Sequence, residues 1–433
     1  MLPTLIASII TFILITVSII LFPNIKVKKV NIQTYWIIAL IGAIILLAFS
    51  FAPMNKVFSQ LTNNSSVNPL KIIVLFFSMT FLSIFLDGVG FFKYLAVLAA
   101  RRAKNNQFIL FLILYGLVSL LTIFTSNDVV ILTFTPFICF FCKKTKVNPI
   151  PYLISEFVAA NTWSLMFVIG NPTNIYLATS ANIDFFSYFK VMAIPTLIGG
   201  LLELGILLLL FYKQLKTPIT LSDEDYKIKN KFSLILGLIH LLVCLIFLVI
   251  SSYINFEMWI IAFTSALSLL LISTFSSFKN KENFKVISGS LKNLPYQLIP
   301  FFLSMFVIVV GLNEQGITAH FASFLGKNHT IWVYGSTSFL ASNIINNIPM
   351  SILYSDLCLN LTGSAYYQAI YSSIIGSNIG AFLTPIGALA GIMFTNLVKQ
   401  HDVDFKFTDF IKYGVIISIP VLGITLLTLT FIL

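Results

Sequence analysis

A polar interruption of an apolar segment occurs twice in this sequence, once in each half. The first copy comprises Ser126-Asn127-Asp128, Asn161 and Gly170-Asn171-Pro172, and the second comprises Ser342-Asn343, Asn378 and Pro385-Ile386-Gly387. The separation of Asn161 from Asn378 equals that of Gly170 from Gly387. Because Pro removes a backbone donor and Gly permits a turn, each copy predicts a helix broken within an apolar segment. A repeated pair of such breaks is typical of membrane transporters.

The composition supports a membrane location. Hydrophobic residues make up 58% of the chain and charged residues 9%, and the mean hydropathy is +0.97. In soluble proteins about a quarter of the residues are charged. Apolar segments that approach the roughly 20 residues needed to cross a bilayer as a helix include residues 2–21, 35–51, 72–86, 232–250 and 413–433. The first is too long for the core of a signal peptide and is not followed by a small-residue cleavage site, so we expect a transmembrane span.

The net charge of +11 arises from basic residues at the ends of the apolar segments. Clusters occur within residues 26–29, 101–104, 143–146, 213–231, 279–292 and 399–412. Since Lys and Arg are enriched in cytoplasmic loops, these clusters predict the cytoplasmic side. The chain is then a multi-pass protein of the cell (plasma) membrane with both termini extracytoplasmic. The same distribution argues against a nucleic-acid-binding surface.

Two pairs of short apolar arms are predicted to enter the membrane and return on the side they came from. Arms 108–124 and 129–141 lie between two basic clusters, so both outer ends are cytoplasmic and Ser126-Asn127-Asp128 forms the tip. Arms 330–340 and 350–357 have basic-poor flanks and enter from the opposite side. A non-helical tip at membrane depth is tolerated only where it is buried in protein or lines a cavity. Both tips are therefore candidate binding regions.

A broken helix is predicted after each hairpin, between half-helices 151–169 and 175–179 and between half-helices 370–383 and 388–398. An odd number of crossings per half inverts the second copy. We predict an all-α polytopic membrane protein with two inverted-topology repeats, each of about five transmembrane helices plus a re-entrant hairpin and a discontinuous helix. The predicted parts are a first membrane repeat (1–212), a cytoplasmic linker (213–231) and a second, inverted repeat (232–433).

Ordered motifs from about residue 70 to the C-terminus support a family resemblance. They are Leu86-Asp87-Gly88-Val89-Gly90, Ser126-Asn127-Asp128, Gly170-Asn171-Pro172-Thr173-Asn174, Asn346-Asn347-Ile348-Pro349 and Thr384-Pro385-Ile386-Gly387. Together they resemble the arsenite permease (ArsB-like) or ArsB-NhaD branch of the ion transporter superfamily. The resemblance implies the hairpin and broken-helix scaffold, carrying arsenite, sodium against protons, or di- and tricarboxylates. Carboxylate carriers have Ser-Asn-Thr at both tips; Asp128 at this position favours a cation, a proton or neutral arsenous acid instead.

Amide and hydroxyl side chains near the breaks are candidate ligands, because buried polar groups require partners. The candidate substrate- or ion-binding residues are Ser126, Asn127, Asp128, Asn161, Thr162, Gly170, Asn171, Pro172, Thr173, Asn174, Ser342, Asn343, Asn346, Asn347, Asn378, Thr384, Pro385 and Gly387. The register of the second tip is open: Asn127 corresponds either to Asn343 or to Asn346.

Three acidic residues are candidates for proton coupling, since ionisable groups within membrane spans are costly and often functional. They are Asp87, Asp128 and Glu314. We interpret Glu156 and Glu203 as structural, with Glu156 close enough in sequence to pair with the basic cluster at 143–146.

These features predict a secondary active transporter that exports arsenite or antimonite in exchange for protons. A sodium/proton antiporter or a di- or tricarboxylate transporter on the same scaffold is the alternative, and a membrane-embedded enzyme is a remote one. The sequence has no nucleotide-binding or H-E-x-x-H motif, and its four histidines are scattered. Cys139 and Cys142 are interpreted as packing residues.

We therefore expect no enzymatic activity, no cofactor and no metal ion. The expected partners are a small inorganic ion or small anion as substrate, protons or sodium as coupling ion, and the lipid bilayer. A homodimer and a separate ATPase subunit stay open as further partners, and no nucleic acid is expected.

Overall fold

Helices make up nearly all the regular structure of the computed structural model, which describes residues 1–22, 24–27, 30–63, 68–103, 106–218, 227–251, 253–277 and 281–433. One short antiparallel pair joins β1 (Asn24–Val27) to β2 (Val30–Gln33). The helices of the first half are α1 (Leu2–Leu21), α2 (Tyr35–Ala48), α3 (Met54–Thr62), α4 (Pro69–Gly88), α5 (Phe91–Arg102), α6 (Gln107–Phe124), α7 (Asn127–Thr145), α8 (Ile150–Trp163), α9 (Pro172–Ser180) and α10 (Phe185–Leu215). Those of the second half are α11 (Lys231–Val249), α12 (Met258–Ser277), α13 (Lys281–Lys292), α14 (Leu298–Glu314), α15 (Ile317–Leu325), α16 (Thr330–Ile345), α17 (Asn347–Cys358), α18 (Ser364–Gly380), α19 (Leu389–Gln400) and α20 (Phe407–Ile432).

The predicted all-α membrane fold is confirmed. Among the described residues, seven helices are long and apolar enough to cross a bilayer, or up to eight if the bent pair α14–α15 counts as one span. Side-chain caps begin several helices where the sequence turns polar. Asn106 accepts from the amides of Phe108 and Ile109 (2.9 and 3.1 Å) at the start of α6, and Asp184 caps α10 in the same way.

The order of helices in α1–α10 recurs in α11–α20. Each half has two leading apolar helices, a pair of helices joined by a left-handed glycine, Gly90 or Gly316, then a hairpin, a broken helix and a long final helix. The packing recurs with the halves exchanged, since α4 packs on α12 while α14 packs on α2, and α7 packs on α19 while α17 packs on α9. The inversion of the second copy across a membrane stays a prediction. Residues 219–226 of the predicted linker, including its acidic residues, lie outside the described residues, as do Lys28, Lys29 and Lys104.

Contacts between loops divide the molecule into two ends. At the end that carries most basic residues, called the basic end, Lys143 lies 3.4 Å from Asp402, and the start of α6 bonds to residue 217 after α10. At the other, the basic-poor end, the N-terminal amine donates to Gln315 (2.9 Å) and Lys56 pairs with Glu314 (3.7 Å). Both chain termini lie at the basic-poor end, the arrangement that a cytoplasmic basic end would give.

The two hairpins and two broken helices are present, with shifted boundaries. The first hairpin joins α6 to α7 and turns at residues 125–126; the second joins α16 to α17 and turns at Asn346, whose φ of 71° is left-handed. The Ser342-Asn343 motif, read as the second tip in one register, lies in the last turn of α16. Since α7 begins at Asn127 and α17 at Asn347, the second turn lies next to Asn346 and away from Asn343, and the register of the tips stays open.

The breaks begin earlier than predicted. The helix α8 ends at Trp163, and a 3-10 turn at Val168–Gly170 precedes α9. The helix α18 ends at Gly380, and residues 381–388 form the second break. In both halves the residues of the break form tertiary hydrogen bonds in place of helical ones. The Gly and Pro residues therefore lie toward the end of each break and not at its start.

The helices α16 and α18 pack closely because Gly376 has no side chain. A Cβ at Gly376 would overlap the Ser338 hydroxyl and the Gly335 carbonyl of α16. We expect Gly376→Ala to lower the free energy of unfolding by about 1–3 kcal/mol, the usual cost of overpacking a filled core. Thermal unfolding in detergent measures this loss. Gly423→Ala on α20, where a Cβ meets nothing within 4 Å, is the matched control, and equal melting temperatures for the two variants would contradict the expectation.

Candidate functional site

Asn378 on α18 joins the broken regions of the two halves. Its Oδ1 accepts hydrogen bonds from Asn171 Nδ2 (2.9 Å) and Ser164 Oγ (2.8 Å). Its Nδ2 donates to Asn174 Oδ1 (2.6 Å) and to the carbonyl of Ile374 (2.8 Å). The four polar side chains are at most 1% exposed. The centre of the molecule therefore contains an uncharged cluster of amides and a hydroxyl drawn from both halves.

Asn161, the counterpart of Asn378, ties the first break to the first hairpin tip. Its Oδ1 accepts from Asn127 Nδ2 (3.1 Å) and its Nδ2 donates to the carbonyl of Phe157 (2.8 Å). Both asparagines thus donate to the carbonyl four residues earlier, while their Oδ1 atoms serve different partners. Asn127 Oδ1 also accepts from the amide of Asp128 (2.9 Å). Movement of the hairpin tip would therefore displace Asn161 near the end of α8, beside the first break.

The start of α9 is held by its own asparagines. Asn171 Oδ1 accepts from the amide and hydroxyl of Thr173, each at 3.1 Å, and Asn174 Nδ2 donates to the carbonyl of Ser164 (2.8 Å). Pro172 occupies the first helical position, where no amide hydrogen is needed. A side chain at Gly170 would overlap the Ser164 carbonyl. Pro172 and Gly170 therefore shape the break rather than offer ligand atoms.

The second hairpin is fastened to the second break through a separate set of bonds. Asn343 Oδ1 accepts from the amide (3.1 Å) and hydroxyl (2.7 Å) of Thr384, and its Nδ2 donates to the Gly380 carbonyl (2.9 Å). At the tip, Asn346 Nδ2 donates to the carbonyl of Ile386 (2.9 Å). The amide of Asn347 donates to the carbonyl of Gly387 (3.0 Å). Asn343, Asn346 and Asn347 thus all contact the break, whichever register relates the tips, and Pro385 lies between their partners.

Two candidate residues use their hydroxyls elsewhere. Thr162 donates to Glu203 on α10, and Ser342 donates to the carbonyl of Phe339 within α16 (2.9 Å). Glu203 also accepts from Tyr115 on α6 (3.2 Å), so it links α6, α8 and α10.

The interpretation of Glu156 as a partner of the basic cluster at 143–146 is wrong. Glu156 is 2% exposed and accepts from Thr135 Oγ1 (3.0 Å) on α7 instead. Its position on the inner face of α8 turns it away from the lysines of the loop.

Several buried oxygens beside these bonds have no hydrogen-bond partner. They are Ser126 Oγ, Asn347 Oδ1 and Ser377 Oγ. Unpaired buried polar atoms are uncommon and call for an explanation. Two belong to the hairpin tips and the third directly precedes Asn378 on α18, so they are available to a polar solute at the tips and break.

Asp128 faces a cavity of ≈ 340 Å³ between α4, α7, α14 and α19. Within the described part of the chain its carboxylate makes no hydrogen bond or ion pair. The cavity is also lined by Tyr35, Thr80, Gln297 and Asn396, and Thr80 Oγ1 and Gln297 Oε1 lack partners. It is bounded by the α13–α14 loop, so it lies toward the basic end. This cavity offers a route from that end to the first hairpin tip.

The other two proton-coupling candidates lie apart from the tips. Asp87 is in the last turn of α4 and accepts from Thr133 Oγ1 of α7 (3.0 Å). Glu314 is at the end of α14, in its ion pair with Lys56 at the basic-poor end. The structure thus brings Asp128 to the hairpin tip but leaves Asp87 and Glu314 near opposite ends.

The interior of the site contains no cation among the described residues. None of the described lysines or arginines is buried, and no group of His, Cys, Asp and Glu among the described residues could hold a metal ion. Sequence reasoning missed Ser164, which contributes both its hydroxyl and its carbonyl to the cluster. A serine next to Trp163 in an apolar helix carries no signal that the helix ends there.

Comparison with known proteins places these features in a family. The citrate transporter family (CitMHS) matches residues 10–376. The chain is 24% identical over 371 residues to an arsenical pump membrane protein of Escherichia coli, covering 82% of this chain and 84% of that protein. A putative arsenical pump membrane protein of Bacillus subtilis is 24% identical over 416 residues, covering 88% and 90%. These relatives confirm the resemblance to arsenite permeases.

The fold also has a solved counterpart. The crystal structure of the Alcanivorax borkumensis YdaH transporter, described as revealing an unusual topology, covers 99% of this chain and 98% of its own, with a TM-score of 0.53 and 14% identity. At that identity the likeness concerns the fold alone.

Proposed function

The chain belongs to the citrate transporter family of membrane transport proteins, and from this premise we propose that it exports arsenite or antimonite in exchange for protons. Membership of this family makes the chain a multi-pass membrane transporter of a small ion or anion. It also excludes the enzyme alternative. The choice of cargo rests chiefly on the uncharged cluster around Asn378. The names of the relatives, arsenical pump membrane proteins, support the same choice.

A neutral hydroxide suits this cluster. Arsenous acid carries hydroxyl groups that both donate and accept, which is the chemistry that amides and hydroxyls complement. Ser126 and Asn347 at the hairpin tips and Ser377 next to Asn378 supply unpartnered oxygens. A citrate ion would require buried cations or many aligned donors, yet Lys292 at the cavity mouth is exposed and Asp128 faces the same cavity. Asp128 would repel a polycarboxylate.

The same residues suit proton coupling. A carboxylate without a cation partner in a membrane interior is costly, so Asp128 favours taking up a proton when its cavity closes. One charge crossing about 100 mV gains about 2.3 kcal/mol, so the proton gradient can drive export without an ATPase subunit. Access alternates when the two hairpins and broken helices move against the remaining helices.

Growth tests the cargo in living cells. Expression in an arsenite-sensitive bacterial strain is expected to raise the arsenite concentration that the cells tolerate and to lower their arsenic content. The Asn378→Ala variant, at equal abundance in the membrane, is expected to remain sensitive. Unchanged arsenite tolerance together with citrate uptake by the same cells would contradict the proposal.

A further inference from the structure

A second cavity lies at the basic-poor end, opposite the cavity of Asp128. Its volume is ≈ 190 Å³, and its polar lining comprises Gln60, Asn63, Asn313 and Asp356. Equivalent helices of the two halves frame the two cavities: α4, α7, α13 and α19 contribute to the first, and α14, α17, α3 and α9 to the second. Each cavity therefore has one wall formed by the returning arm of a hairpin.

Each cavity also receives one carboxylate from that arm. Asp128 lies at the start of α7, whereas Asp356 lies in the last turn of α17, at the open end of its hairpin. The Asp356 carboxylate makes no hydrogen bond or ion pair with any described residue, whereas its backbone carbonyl accepts from Leu359 N (3.2 Å) and Asn360 Nδ2 (3.4 Å). The facing wall is largely apolar, with Phe306, Val309 and Val310 of α14.

We infer that Asp356 is a proton-binding site whose occupation allows the second cavity to close. Closing α17 onto α14 would bury the carboxylate among apolar side chains, and burial of an unpaired charge is strongly unfavourable. Transfer of one proton from water to a carboxyl oxygen removes that charge and leaves a neutral group that can be buried. The cavity then closes when protons are abundant at the basic-poor end. This inference rests on the alternating access of the proposed function, but not on the cargo.

The neighbouring titratable groups do not supply another acceptor in this cavity. On the helices packed against α17 these are Tyr176 (α9), Glu314 (α14), His320 (α15), Tyr334 (α16), and Tyr366, Tyr367 and Tyr371 (α18). Of these, Tyr176 alone lines the cavity. His320 is exposed and outside the cavity, and Glu314 pairs with Lys56 of α3. A phenol is already neutral in the range where a carboxyl titrates, so Asp356 is the group whose charge changes.

Thiol labelling tests the closure without any cargo. In Gln60→Cys, a cysteine on the α3 wall would be labelled by a membrane-impermeant maleimide when the cavity is open. Ser59→Cys, an exposed neighbour outside the cavity, corrects for the rise of thiol reactivity with pH. We expect the labelling of Gln60→Cys relative to Ser59→Cys to fall at least about tenfold from alkaline to acidic buffer.

Substitution of the acid separates proton binding from other effects. With Asp356→Asn added, which is neutral at every pH, relative labelling is expected to be low throughout; with Asp356→Glu it should again depend on pH. Asp184→Asn, at the same end but outside this cavity, should leave the wild-type dependence. The inference would be overturned if the relative labelling still depended on pH in Asp356→Asn, or if it did not depend on pH with Asp356 present. Failure of arsenite transport alone would overturn the proposed cargo and leave this result standing.

Discussion

Replacement of Asn378 by Ala is expected to abolish most transport. The change leaves Asn171 Nδ2 and Asn174 Oδ1 without the partner that now satisfies them, whereas Ser164 Oγ keeps its bond to the carbonyl of Asn161 (2.6 Å). Each buried group left unpaired costs about 1–3 kcal/mol. If the state in which the two breaks are in contact is destabilised by about 3 kcal/mol in total, the transport rate falls about a hundredfold.

The matched control is Asn360→Ala. Asn360 is exposed in the loop after α17 and makes only long bonds of 3.3–3.4 Å to local carbonyls. Initial rates of uptake into everted vesicles, scaled to the amount of folded protein, compare the two variants. Transport by Asn378→Ala at more than half the control rate would show that the cluster is not at the centre of the mechanism.

Replacement of Asp128 by Asn is expected to uncouple transport from the proton gradient. The amide has nearly the same shape, so folding should be preserved, but it cannot carry a proton. Loss of one coupled proton lowers the attainable accumulation ratio by up to about fifty-fold for each 100 mV of proton-motive force. Exchange of labelled for unlabelled cargo across the membrane needs no net proton movement and should continue.

Asp402→Asn at the basic end is the control for Asp128→Asn. Asp402 is exposed and pairs at the surface with Lys143, an interaction that contributes little to stability. Steady-state accumulation with and without a protonophore separates the variants. If Asp128→Asn accumulates cargo to the wild-type ratio and a protonophore abolishes that accumulation, another group carries the proton.

The sequence was sufficient to predict the hairpins and the broken helices but not the contacts between them. Asn161 and Asn378 marked the two breaks because their spacing repeats and they interrupt apolar segments. Nothing in that spacing indicates that Asn378 bonds Asn171 and Asn174 of the other half, since contacts between halves depend on how they pack. The early end of α8 also depends on tertiary contacts, because the Ser164 hydroxyl donates to Asn378 of the other half and the Ser164 carbonyl accepts from Asn174.

Acidic residues were the less predictable part of the site. Asp128 could be placed at a tip because its motif defined the turn, whereas Glu156 was assigned to nearby lysines although its helix face directs it to Thr135. Asp356 lies within the predicted hairpin arm 350–357 but is not among the predicted functional residues. An acid in an apolar arm was itself a signal, but its cavity is formed by helices far away in sequence.

Arsenite uptake into everted membrane vesicles tests the central claim most directly. Vesicles containing the protein are supplied with radiolabelled arsenite, sodium or succinate, with and without a proton gradient. The account predicts arsenite accumulation that a protonophore abolishes and that vesicles lacking the protein do not show. Accumulation of sodium or succinate, with no arsenite, would contradict the proposed cargo and leave the transporter fold in place.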